Sequence, residues 1–84
     1  MKEYQLEELE EIARSLTQEE LKKYIVPDEI RNKVILTTLF EGDDRVFVLY
    51  VPGETRDNPF EVARTRVNSL TGEAKIESVG LEAK

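Results

Sequence analysis

The sequence predicts an α+β domain: two short N-terminal helices packed on one face of a four-stranded antiparallel β-meander, with strand order following the chain. Three observations carry this prediction. Leucine and isoleucine recur at helical spacing up to Leu16. Two consecutive segments, Val34 to Phe40 and Val46 to Val51, are apolar at alternating positions on both faces. Turn sequence rich in Gly, Asp and Pro separates these from each other and from two further β-rich stretches. At 84 residues, the chain (1–84) reads as a single domain that buries only about 60–65% of its unfolded surface. A domain this small gains much from association.

The first helix is expected over Tyr4 to Leu16, where Leu6, Leu9, Ile12, Ala13 and Leu16 share an arc and Glu7, Glu8, Glu10 and Glu11 face the other way. Continued as one straight helix, Leu21, Tyr24 and Ile25 would swing about 100° off that stripe. A break near Thr17 resolves the mismatch. Thr17-Gln18-Glu19-Glu20 has the pattern of a capping box, with Leu16 and Leu21 as its hydrophobic staple, so a second helix is expected from about Gln18 to Ile25. Leu6, Leu9, Ile12, Leu16 and Leu21 should then meet the sheet. Pro27-Asp28-Glu29 suits a helix first turn, with acids against the positive dipole end, and a single turn ending near Asn32 follows.

The two double-faced strands are joined by Glu41-Gly42-Asp43-Asp44, which suits a tight antiparallel hairpin. Pro52 to Pro59 is turn-forming and polar, and it is expected to be the most mobile loop. A third strand runs from about Phe60 to Asn68, and a fourth from Glu73 to Val79. The apolar phase of the third changes from Phe60 and Val62 to Ala63 and Val67, which indicates a bulge near Ala63. Gly80 to Lys84 is expected to fray.

Helices on one face leave the other face uncovered. Leu36 and Phe40 fall on the same side as Phe47 and Leu49, whereas Ile35 and Leu39 fall with Val46, Val48 and Tyr50. An antiparallel sheet with one wet face would show polar residues at those positions. The sequence therefore places a protein-interaction surface on Val46, Val48, Tyr50, Ile35 and Leu39, and sheet-to-sheet homodimerisation is its most economical cover.

Composition narrows the chemistry. The chain has neither His nor Cys, so the commonest general base and the commonest activated nucleophile are both missing. Its four glycines sit singly, which rules out a Gly-rich phosphate loop. The expectation is a non-enzyme without metal or cofactor. A net charge of −6 disfavours general nucleic-acid binding. No apolar run approaches the roughly 20 residues that span a bilayer, and the N-terminal residues lack a basic and apolar leader pattern, so a cytoplasmic location is expected.

Three charged groups invite functional readings. Glu7, Glu8, Glu10 and Glu11 could imitate nucleic-acid phosphates, or simply form a solvated helix face. Glu41, Asp43 and Asp44 offer hard oxygens to a cation, but a four-residue hairpin supplies too few ligands and turn chemistry explains them. Arg64 and Arg66, two apart on one strand, could hold a carboxylate or phosphate, or pair across the sheet with Glu73 or Glu77.

The segment from Arg66 to Glu77, with Val67-Asn68 leading into Thr71-Gly72-Glu73, resembles the closing hairpin of PepSY-type domains. Gly72 permits the positive φ that ends the turn, and Thr71 can cap it. A helical region followed by an antiparallel meander is likewise similar to the wider cystatin-like architecture. That resemblance implies a protein that binds other proteins, peptidases among them, and it transfers no functional residue.

The leading expectation is thus a small protein-binding module, an inhibitor, immunity-like protein or adaptor, acting as a homodimer through an apolar sheet face. The alternatives are an acidic phage-type decoy that blocks a nucleic-acid-binding protein, and a weak nucleic-acid or anion binder acting through Arg64 and Arg66.

Overall fold

The computed structural model describes residues 4–53 and 59–84. Helix α1 spans Leu6–Leu21 and a short α2 spans Asp28–Lys33, followed by strands β1 (Ile35–Glu41), β2 (Asp44–Val51), β3 (Phe60–Asn68) and β4 (Ala74–Val79). The four strands form one antiparallel sheet in chain order, as the sequence predicts. Residues 54–58, inside the loop expected to be mobile, lie outside the described residues.

The helical region differs from expectation. Helix α1 starts after Gln5, whose backbone N–H donates to Glu8 Oε1 at 3.0 Å, and Glu7 and Glu8 occupy the first turn near the positive end of the dipole. It then continues through Thr17 without a break. Thr17 is no cap: it is buried, and its hydroxyl lies 2.7 Å from that of Thr65 on β3. The buried positions are Leu9, Ala13 and Thr17, each four residues after the last. Such a stripe drifts about 40° around the helix per step. A helix laid obliquely over a twisted sheet presents a drifting stripe of this kind, so the phase change near Thr17 marks a tilt rather than a second helix. Of the five apolar residues expected to meet the sheet, Leu9 is buried, Ile12, Leu16 and Leu21 are half-buried, and Leu6 is exposed. Ala13 and Thr17 take over the closest contact because they are small.

The helix expected from Gln18 to Ile25 ends instead at Leu21. Tyr24 forms an isolated antiparallel bridge with Ala83, the Ile25 N–H donates to the Glu82 carbonyl at 2.8 Å, and the Lys84 N–H donates to the Lys23 carbonyl at 2.9 Å. The same bonds correct the expectation that Gly80 to Lys84 frays. Residues 82–84 are tied to the chain leaving α1 and Gly80 to Val62 on β3, so the tail satisfies the Ile25 N–H and the Lys23 carbonyl on either side of Tyr24.

The β1–β2 hairpin closes with Glu41 opposite Asp44 around Gly42 and Asp43. Gly42 has φ of 60°, and among the described residues no non-glycine has positive φ, which is the pattern of a type II′ turn. The bulge falls one residue from its predicted place: Leu49 faces Ala63 and Tyr50 faces Glu61, leaving Val62 as the extra residue. Both Val62 and Ala63 are buried in consequence. A second irregularity leaves Glu77 extra on β4, between Ile76 and Ser78. The β3–β4 turn forms as its sequence implies, with Gly72 at φ 75° and Thr71 Oγ1 accepting from the Glu73 N–H at 3.2 Å.

The core lies between α1 and the sheet. Leu9, Ala13, Phe47 and Val67 form its buried cluster, with Ile12 and Ala74 against it. Helix α1 packs mainly over β3 and β4 and reaches β2 less. A helix about 10 Å across covers roughly two strands spaced about 4.8 Å apart. One helix cannot cover four, and β1 is the strand left out.

Candidate interaction surface

The strand register puts all five predicted interaction residues on the face away from α1. Ile35 stands opposite Tyr50, Thr37 opposite Val48 and Leu39 opposite Val46, and the rows continue into Arg64 and Arg66 on β3. Their exposure divides them. Ile35 and Leu39 are 45% and 39% exposed, Tyr50 is half-buried, and Val46 and Val48 are buried. The expectation that Val46 and Val48 offer an open apolar patch is therefore corrected.

Both valines lie on an inner strand, with the arginine pair beside them on β3. Arg66 rises from β3 beside Val46 and reaches Glu41 on β1 through its terminal nitrogen at 2.8 Å, so its side chain crosses β2. It also donates to Asp44 Oδ2 at 2.9 Å and to Glu77 on β4. Asn68 completes the cluster by donating to Asp44 Oδ1 at 3.1 Å. Arg64 donates to Glu61 Oε1 through both Nε and a terminal nitrogen, and Ser78 donates to the other oxygen of Glu61. Arg66 thus stands opposite Val46 and Arg64 opposite Val48, with their charged ends held in the ion-pair lattice. Hydrogen bonding from Arg66 holds the Asp44 carboxyl below its ordinary range, and Arg64 does the same for Glu61. Both guanidinium groups are raised in turn. An external anion at Arg64 or Arg66 would have to displace these carboxylates.

Several of the remaining charged candidates are similarly engaged. Glu8 caps α1, and Glu10 pairs with Arg14 at 3.0 Å, with Glu7 and Glu11 exposed on the same helix. Glu41 and Asp44 belong to Arg66, and among the described residues no group of three or more His, Cys, Asp or Glu is placed to hold a metal ion. Among the described residues no helix is long and apolar enough to cross a membrane.

The open apolar surface lies elsewhere, on β1. Besides Ile35 and Leu39, Leu36 is 37% exposed and Phe40 64% exposed, although both project on the side where α1 packs. Phe40 stands clear with the Arg45 guanidinium 4.7 Å from its ring centre. Leu36 edges a groove between β1 and α1, whose other walls include Ala13, Thr17, Leu21, Phe47 and Leu49. Sequence reasoning assigned Leu36 and Phe40 to the covered side and so missed them. The signal was available in the width of a single helix against a four-stranded sheet.

The two edges of the sheet differ. Strand β4 carries Lys75, Glu77 and Ser78 and is interrupted at Glu77, which are the usual protections of an edge. Strand β1 has no charge, proline or register shift from Ile35 to Phe40. No family model, curated protein or solved structure matches this chain.

Proposed function

We infer that this chain is a non-enzymatic protein-binding module of the inhibitor, immunity-like or adaptor kind, and that β1 is the element through which it binds. One observation carries the reading: β1 is an unprotected sheet edge with Ile35, Leu36, Leu39 and Phe40 exposed across both of its faces. Such an edge offers backbone donors and acceptors for an added strand, and apolar side chains at alternate positions to select it. The apolar sheet face expected from the sequence contributes only its margin, Ile35 and Leu39 with Tyr50 beside them. The buried Val46 and Val48 act by supporting that margin.

The test is affinity capture from the native host with wild-type protein and with Thr38→Pro as paired baits. Proline on an edge strand removes an amide that faces outward while leaving the ladder to β2 intact. Proteins retained by wild type, copies of this chain included, should be lost on the variant. Equal retention by both baits contradicts the assignment of β1.

A further inference from the structure

We propose that β1 pairs with β1 of a second copy of this chain, antiparallel about a two-fold axis at Thr38, joining two four-stranded sheets into one of eight. This partner rests on the reading of β1 as the binding edge and goes further by fixing occupant and register.

The backbone selects the register. In a hairpin with a two-residue loop the closing pair, here Glu41 and Asp44, exchanges both hydrogen bonds, and bonded pairs then alternate along the ladder. Leu39, Thr37 and Ile35 therefore spend their backbone groups on β2. Phe40, Thr38 and Leu36 point theirs outward. A two-fold axis normal to the sheet keeps each face on its own side, so residues opposed across the new interface must share a face and, to bond, must both point outward. Centring on Thr38 meets both conditions along the whole of Ile35–Glu41. Thr38 then opposes its own copy, and Leu36 opposes Phe40 of the second copy, twice by symmetry.

The side chains fit that register independently. Among the described residues Phe40 is the most exposed of the large apolar ones, at 64%, and Leu36 forms the β1 wall of the groove against α1. Opposing the two brings each protruding ring to the mouth of the other copy's apolar groove. On the far face Leu39 opposes Thr37 and Ile35 opposes Glu41. Self-association of a chain with net charge −6 needs local neutrality, and β1 supplies it. Its single acid, Glu41, lies at the strand end and is already paired with Arg66 at 2.8 Å. The opposite edge, β4, carries charges and an irregularity and has no such complement.

The decisive experiment uses single-cysteine variants, because the chain has no native cysteine. In this register the two copies of residue 38 have Cα atoms about 5.5 Å apart, within disulfide range. The two copies of residue 41 are about 20 Å apart. Oxidation of Thr38→Cys should give covalent dimer rapidly, and oxidation of Glu41→Cys should not. Sedimentation equilibrium of wild type should show the mass rising with concentration from 9.7 kDa to twice that value, with Thr38→Pro remaining at the lower value. A monomer at every concentration overturns the proposal, as does a dimer that crosslinks at residue 41 and not at 38. If wild type is monomeric while Thr38→Pro still loses a different protein in the paired capture, the second copy is excluded and β1 keeps its binding role. If the capture is also unchanged, both readings fall.

Discussion

The hydroxyls of Thr17 and Thr65 lie 2.7 Å apart where α1 crosses β3, and both residues are buried. This contact joins α1 to β3, one of the two strands it mainly covers. Each hydroxyl is the other's hydrogen-bond partner.

Thr65→Val should therefore destabilise the fold by about 1–3 kcal/mol, because it strands the Thr17 oxygen without a partner. Thr17→Val should cost a similar amount. The double variant should recover most of the loss, since two apolar groups of the same shape leave no polar atom unsatisfied. Urea unfolding of the four proteins gives the coupling directly, and strictly additive losses would contradict it.

Leu9 and Leu6 appear equivalent in the sequence pattern, yet one is 1% exposed and the other 45%. Leu9→Ala should cost about 2–5 kcal/mol through the cavity it opens. Leu6→Ala should fall within about 0.5 kcal/mol of wild type. Comparable losses at the two sites would mean that the helix lies in a different rotation.

That pair illustrates what was legible in the sequence. The four strands, their antiparallel order and the split of Ile35, Leu39, Val46, Val48 and Tyr50 from Leu36 and Phe40 all follow from alternation, which is local and has a period of two. The course of α1 does not, because the drift of its contact stripe is set by the tilt between helix and sheet, a tertiary quantity. Thr17 followed by Glu20 satisfies the pattern of a cap, but Thr65 offers Thr17 a buried partner and the helix continues. The proposed binding surface was half legible for a related reason. Alternation assigns a face, but not the lattice that crosses it, in which Arg66 reaches over to Glu41, a residue far away in sequence.

Gly72 and Gly42 should respond differently to alanine. Both have positive φ, for which a side chain costs roughly 1–2 kcal/mol. At Gly72 a Cβ would also lie 2.8 Å from the Tyr4 ring, whereas at Gly42 it meets nothing within 4 Å. Gly72→Ala should be the more damaging, and Tyr4→Ala should relieve only the excess. Thermal unfolding of the three single variants and of the Gly72→Ala/Tyr4→Ala double variant checks this.

Acid should weaken the lattice on the helix-free face. Asp44 and Glu61 have folded pKa values below their ordinary range, so the folded state binds fewer protons there than the unfolded state. Their stabilisation is complete above the ordinary carboxylate range and is lost as pH falls through the depressed values. Asp44→Asn should be less stable at neutral pH and should show a shallower loss below about pH 5. Stability measured against pH for both proteins decides this, and parallel curves would remove Asp44 from the account.

The central claim is that β1 is the edge through which this chain binds, and amide hydrogen exchange followed by NMR tests it most directly. The amides of Leu36, Thr38 and Phe40 should exchange quickly in dilute protein and become protected as concentration rises, while those of Thr37 and Leu39, already bonded to β2, should change little. Fast exchange at Leu36, Thr38 and Phe40 at every concentration, and in the presence of any captured partner, would contradict it.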